Sequence, residues 1–366
     1  MERAAAVGPE LAKHAEQHDR EGTFVEEALA ALRDAGLMAL GVPKDLGGGG
    51  GTIRDAAMVQ RELARHCASA ALATSMHQHV VAFNAWRFRR EMAGAEATLR
   101  RVAEEGIVLV STGGADQTHP KGEAVKVDGG YKVSGQKIFC SQSPAGTVMS
   151  TMFAYDDPEQ GRRVLNMSVP IAAEGVTVLD DWDTMGMRGT GSNSIVIDDV
   201  FVPDERVVAN RPHGVLDPPF QVILSHALPI ICGVYLGVAE AAFDAAREAA
   251  ASKATEAIVQ RQVGLMAHRL RVASWALEGA LAEIGDDPTP SMENVAAAVA
   301  AKREISLAGI EVCDLAMEVG GGAAYFRGSP LERAYRDMRA AKFHPFTPEA
   351  TLLRGGRLAL GLGLES

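Results

Sequence analysis

Cysteine is scarce: four residues in 366, Cys67, Cys140, Cys232 and Cys313, with no C-x-x-C pair among them. Scattered single thiols exclude a zinc centre and a disulfide framework, so four buried free thiols and no metal are expected. Basic residues are also in deficit, 36 Lys and Arg against 47 Asp and Glu, for a formal net charge of −11. So acidic a surface repels phosphate backbones, which removes nucleic acid from the expected partners but leaves room for a local basic pocket. No stretch approaches the roughly 18 uninterrupted apolar residues that span a bilayer. The first residues carry early acids and lack the basic-then-apolar layout of a secretory leader. A cytoplasmic protein with no membrane partner is the resulting expectation. Absent too is a G-x-G-x-x-G unit following a strand, so no nicotinamide site is expected.

What is present describes an ordinary globular chain, 47% hydrophobic and 23% charged, long enough for two or three domains. Residues 1–105 read as helices: Phe24, Ala28, Leu29, Leu32 and Leu37 recur at helical spacing, with Gly36 as a stop signal. Pro43 and the glycines of LGVPKDLGGGGG (40–51) break regular structure before a further helix from about Thr52 to Cys67. Between 106 and 210 the texture turns to short alternating runs, EAVKVDGGYKVSGQKIF (123–139), VLNMSVPI (164–171) and SIVIDDVFV (194–202). Asp128-Gly129-Gly130 between two such runs is a hairpin signal, and the segment predicts a compact antiparallel sheet or small barrel. From 211 to 366 long alanine- and leucine-rich helices return, interrupted at DDPTP (286–290). The class is α+β, in the order helices, sheet, helices.

Four blocks in that order carry a family resemblance: GLMALGVPKDLGGGG (36–50), GGYKVSGQKIFCSQSPAG (129–146), MGMRGTGSNSIVIDDVFVPDERV (185–207) and VGGGAAYFRGSPLERAYRDMR (319–339). The chain resembles the acyl-CoA dehydrogenase superfamily over nearly its whole length. The resemblance implies an N-terminal helical domain, a middle β-domain and a C-terminal four-helix bundle, assembled as a homotetramer. It also implies FAD or FMN. A flavin ring needs hydrogen-bond donors and acceptors at its edge and a cradle for its phosphate. By resemblance the cofactor set is Ser111, Thr112, Phe139, Ser141, Arg188, Thr190, Ser192, Gly320 and Gly321. Phe139 is expected to pack on the ring and Ser141 to lie near its N5.

The sequence departs from the dehydrogenases where they keep the carboxylate that removes the α-proton. Counting from Arg336-Asp337, that position falls at Pro345 or His344, and Glu349 lies one helical turn on. The family's other position, on the helix that opens the C-terminal domain, is occupied by Ala227 and Leu228. The R-x-x-F-G segment that anchors the FAD pyrophosphate across a subunit interface is also missing from 251–262.

His344, in contrast, resembles the C-terminal histidine of the flavin monooxygenases that share this fold, dibenzothiophene monooxygenase and the oxygenase component of 4-hydroxyphenylacetate 3-hydroxylase among them. Those enzymes pair it with a hydroxyl of the F-x-S segment, here Ser141 or Ser143. A histidine suits proton transfer near neutral pH. The favoured expectation is a reduced-flavin monooxygenase served by a separate flavin reductase, with His344 and Ser141 or Ser143 as its catalytic residues. The alternatives are an atypical acyl-CoA dehydrogenase whose base is Glu349 or His344, and a silent subunit of a mixed oligomer. His226 is a second histidine expected in the same pocket. The substrate is expected to be a small molecule bordered by Met76, His77, His79, Phe83, Trp86 and Phe220.

Overall fold

A computed structural model describes residues 1–362. Five helices come first: α1 (Glu2–Glu21), α2 (Glu26–Asp34), α3 (Ile53–Ala64), α4 (Ala68–Phe88) and α5 (Ala95–Glu104). Gly36 has φ +68°, a left-handed turn that follows α2. α3 begins with a capping box, in which the Thr52 hydroxyl accepts from Asp55 N and the Asp55 carboxylate accepts from Thr52 N. α4 is buried along most of its length, which explains why its sequence lacks an amphipathic pattern.

The sheet follows: β1 (Leu109–Ser111), a single turn α6 (Gly113–Asp116), β2 (Glu123–Val127), β3 (Gly130–Lys137), β4 (Val148–Asp157), β5 (Gly161–Pro170), β6 (Val176–Val178), β7 (Ile195–Pro203) and β8 (Val207–Pro212). The Asp128-Gly129 turn joins β2 to β3 with Val127 facing Gly130, and Gly129 takes φ +70°. Two features differ from a simple antiparallel barrel. β4 pairs in parallel with both β1 and β2, and the path β6-β7-β3-β2-β4-β5-β8 runs from one end strand to another without closing among the described residues. The parallel pairs exist because β1 arrives from the helical domain and reaches β4 only after the β2–β3 hairpin intervenes, a long crossover that alternation cannot reveal.

The last helices are α7 (Pro218–Ala249), α8 (Ala257–Ile284), α9 (Met292–Gly320), α10 (Pro330–Arg339) and α11 (Pro348–Ala359). α7 is central, packing on α3, α4, α8, α9 and α10. It is long and apolar enough to cross a membrane, yet 94% of its most apolar window is buried inside the protein, as befits a core helix. Its contact with α3 depends on glycine: a Cβ at Gly233 would stand 2.1 Å from Ala57 O, and one at Gly237 2.1 Å from Arg61 O. Gly233→Ala is therefore expected to lower stability by about 1–3 kcal/mol, through forced separation of α3 and α7. An unfolding midpoint equal to that of the unchanged chain would contradict this. All four cysteines are free and buried.

Candidate functional site

Three segments of the β-region are knitted together by hydrogen bonds: the end of β1, residues 139–143 and residues 187–193. Gln142 bridges them, its N–H donating to Thr190 O at 2.9 Å and its Nε2 to Leu109 O at 3.0 Å. Phe139, Gln142 and Met187 all hold left-handed backbones, with φ of +58°, +56° and +54°. Three such non-glycine residues in one place mark a strained patch of the kind that gathers at working sites.

The serines and threonine in this patch form a polarised chain. Ser141 Oγ lies 2.8 Å from Ser192 Oγ, which lies 2.7 Å from Thr190 Oγ1. Thr190 must donate to Met187 O, 2.9 Å away, because a carbonyl only accepts. Each hydroxyl has one proton, so Ser192 donates to Thr190 and Ser141 donates to Ser192. The Ser141 oxygen is left as an acceptor. Gln142 Oε1, beneath the same strip, is buried and without a partner.

Phe139 is 56% exposed, held edge-to-face by Trp182 with ring centroids 6.0 Å apart. Trp182 in turn donates through Nε1 to Met187 O. A cleft of about 400 Å³ adjoins this strip, lined by Trp182, Pro144, Gly191, Asn193 and Phe24 among others. A smaller cavity of about 40 Å³ is lined by His79, Phe83, Ser111, Met152, Asn166 and Phe220. There His79 Nε2 meets Ser111 Oγ at 3.2 Å, while its Nδ1 is buried without a partner.

α10 and α7 position His344. The ring is half-buried, and its Nδ1 lies 2.5 Å from the hydroxyl of Tyr235, a fully buried residue of α7. Burial, then the Lys302 ammonium, pushes His344 down to about 4, so the imidazole is neutral at pH 7. Burial raises the Tyr235 phenol well above its ordinary value, so it remains an O–H. The preceding residues pin the domains together: Asp337 accepts from Met187 N at 2.5 Å, and Arg336 pairs with Asp19 and Glu332. Burial raises the Asp337 carboxyl to about 6.

Several expected site residues are engaged elsewhere. Arg188 does not present its guanidinium to the strip: it donates to Asp19 O, Thr184 O and the Asp183 carboxylate, tying the 183–188 turn to α1. Ser143 is sealed, donating to Gly191 O, and Thr112 donates to Thr151 inside the sheet. Gly320 and Gly321 end α9, where Gly320 meets Leu331 and Gly321 faces Lys253. No described contact joins them, or His344, to Ser141 within the chain. His226 is buried, bonded to Val222 O and lowered by burial to about 4. His77 is a structural link from Leu109 N to Met38 O, and Trp86 donates to Pro288 O. Glu349 is exposed in the first turn of α11.

Sequence reading missed Trp182, Tyr235 and Lys302. Trp182 stands within DWDTMG, just outside the recognised block, and Tyr235 is a single tyrosine in an apolar helix 109 residues from its histidine. Only the charge of Lys302 in an alanine-rich run offered a signal.

The strip fits a polar-edged aromatic ring: an exposed aromatic face at Phe139, and an acceptor at Ser141 for an N–H group. Residues 4–106, 111–200 and 229–349 match the N-terminal, middle and C-terminal domains of acyl-CoA dehydrogenase. YdbM of Bacillus subtilis (strain 168), which bears an acyl-CoA dehydrogenase name, is 31% identical over 96% of this chain and 94% of its own. The amino sugar nitrososynthase DnmZ of Streptomyces peucetius is 30% identical over 92% of this chain and 87% of its own. Among solved structures, KijD3 in complex with FMN and dTDP-3-amino-2,3,6-trideoxy-4-keto-3-methyl-D-glucose superposes with a TM-score of 0.84 at 29% identity, covering 100% of this chain and 94% of that one.

Proposed function

Because this chain belongs to the acyl-CoA dehydrogenase family and is a flavin-dependent oxidoreductase, we propose that it is a monooxygenase that takes reduced FMN from a separate reductase and oxidises a small organic substrate. The observation that carries this reading is His344. At the place where a dehydrogenase needs a carboxylate, a neutral imidazole is backed by a buried phenol, and the charge that bears on its pKa is the Lys302 ammonium. Such a group gives and takes a proton without ionising a carboxylate.

Bound flavin supplies the two-electron reservoir through which dioxygen is activated. The chain's own residues do the rest. Phe139 and Trp182 offer the aromatic contact for the ring. Ser141, fixed as an acceptor by Ser192 and Thr190, favours a ring edge that carries N–H, which reduced flavin has where oxidised flavin has a bare nitrogen. Ser111, His79, Phe83 and Phe220 border the substrate. DnmZ and KijD3 support the reading, one named for nitroso-forming action on an amino sugar and the other holding FMN.

The test loads the anaerobic protein with photoreduced FMN, adds ¹⁸O-labelled dioxygen, and analyses candidate small amines and sulfur or aromatic compounds by mass spectrometry. One ¹⁸O in a product supports the reading. YdbM's name favours the dehydrogenase alternative; bleaching of oxidised flavin by an acyl-CoA thioester, with no label incorporated from any candidate, would establish that instead. Ser141→Ala is expected to weaken binding of reduced FMN about 3- to 10-fold and of oxidised FMN less, the loss of one hydrogen bond. Equal weakening of both redox states would remove the acceptor role.

A further inference from the structure

Lys302 lies in the middle of α9, 1% exposed, just after the run of small and apolar residues 295–301. Its ammonium donates to three carbonyls at once: Ala341 O at 2.6 Å, His344 O at 2.7 Å and Phe346 O at 3.0 Å. An ammonium has three protons, so every one is used. The acceptors all belong to the irregular turn between α10 and α11, whose carbonyls have no helical partners of their own. An isolated buried charge is costly, and three charge-assisted bonds are what make this one tenable.

We infer that Lys302 is a positioning residue: by gathering the carbonyls of Ala341, His344 and Phe346 on one ammonium, it fixes the turn that holds the His344 ring against Tyr235. Tetrahedral donors on a point charge suit three converging carbonyls, which a planar guanidinium fork does not. The titratable and charged groups facing the turn are Lys302 from α9, Cys232 and Tyr235 from α7, Asp337 from α10 and Arg354 from α11. Burial lowers Lys302 to about 8 and raises Cys232 to about 12, with Tyr235 raised further from neutrality, so of these groups Lys302 is the one that titrates near pH 8.

The inference rests on His344 being the working group, but its test reads the ring directly and needs no flavin, substrate or turnover. Histidine labelled in the ring is followed by NMR through pH in the full chain and in Lys302→Met. In the unchanged chain, the His344 signal should titrate near pH 4 and show a second displacement near pH 8, as the clamp loses a proton. In Lys302→Met the pH 8 displacement should vanish and the lower midpoint rise by about one unit or more, since a nearby positive charge is gone. Tyr235→Phe, which loses the phenol and keeps the clamp, should retain the pH 8 displacement. An unmoved His344 midpoint in folded Lys302→Met overturns the inference. So does an unchanged chain with no displacement near pH 8, and that measurement decides the matter if the Met variant does not fold. Loss of ¹⁸O incorporation with both NMR transitions intact would instead count against the function proposed above.

Discussion

His344→Ala is expected to lower product formation by about 10²–10⁴-fold, the range for removal of a positioned proton donor or acceptor. Affinity for FMN should change little, because no described contact ties the ring to the strip formed by Phe139, Ser141 and Gln142. Tyr235→Phe should cost less, about 3- to 10-fold, since it removes one hydrogen bond and leaves the imidazole in place. The pH dependence follows from the environment of the ring. With His344 held down to about 4, the neutral form dominates from pH 7 to pH 5, so the activity should not fall at the ordinary histidine value of about 6.5. An acid limb at pH 6.5, or His344→Ala with more than about a third of the original rate, would sink the assignment. The measurements are initial rates of substrate oxidation between pH 4.5 and 8, with free-flavin oxidation subtracted.

Acid should lower the protein's stability steeply. Burial pushes His77, His79, His226 and His344 each to about 4, against about 6.5 in an unfolded chain. Between those two values the unfolded state binds more protons, so stability falls as pH falls. The carboxyls of Asp337, raised to about 6, and of Asp217, also raised by burial, act in the opposite sense: folded, they take up protons before the unfolded chain does. The balance near pH 5 is roughly two to three protons taken up on unfolding, or about 3–4 kcal/mol lost per pH unit. Domains of ordinary stability hold about 5–15 kcal/mol, so the two pH units below neutrality should remove a large share of that margin while the fold persists. Denaturant midpoints at pH 7, 6 and 5 measure it, and a flat series would contradict the burial of these histidines. His226→Gln should flatten the slope by about one proton, since it removes one depressed group without adding a charge.

Much of this was legible beforehand. The helix–sheet–helix order follows from periodicity, because 3.6- and 2-residue spacings are local properties of a chain. The Asp128-Gly129 turn and the start of a helix near Thr52 were readable for the same reason. Two of the sequence blocks named Phe139, Ser141, Thr190 and Ser192 as candidates, and counting onward from Arg336-Asp337 added His344. Cysteine spacing correctly excluded disulfides, since all four thiols lie apart and buried.

The remainder was decided in three dimensions. The open, mixed sheet depends on β1 and β2 sharing one side of β4, a pairing between residues about 30 to 40 positions apart that alternation does not encode. Arg188 has the composition of an anion ligand, but the carbonyls of Asp19 and Thr184 and the Asp183 carboxylate claim it once α1 packs beside its turn. Ser141 could donate or accept on sequence grounds; Met187 O, at the end of a chain through Ser192 and Thr190, makes it an acceptor. His344 was visible as a residue but not as a neutral one. Its protonation is set by burial and then by Lys302 from α9, because desolvation and charge act through space while sequence pattern records only neighbours along the chain.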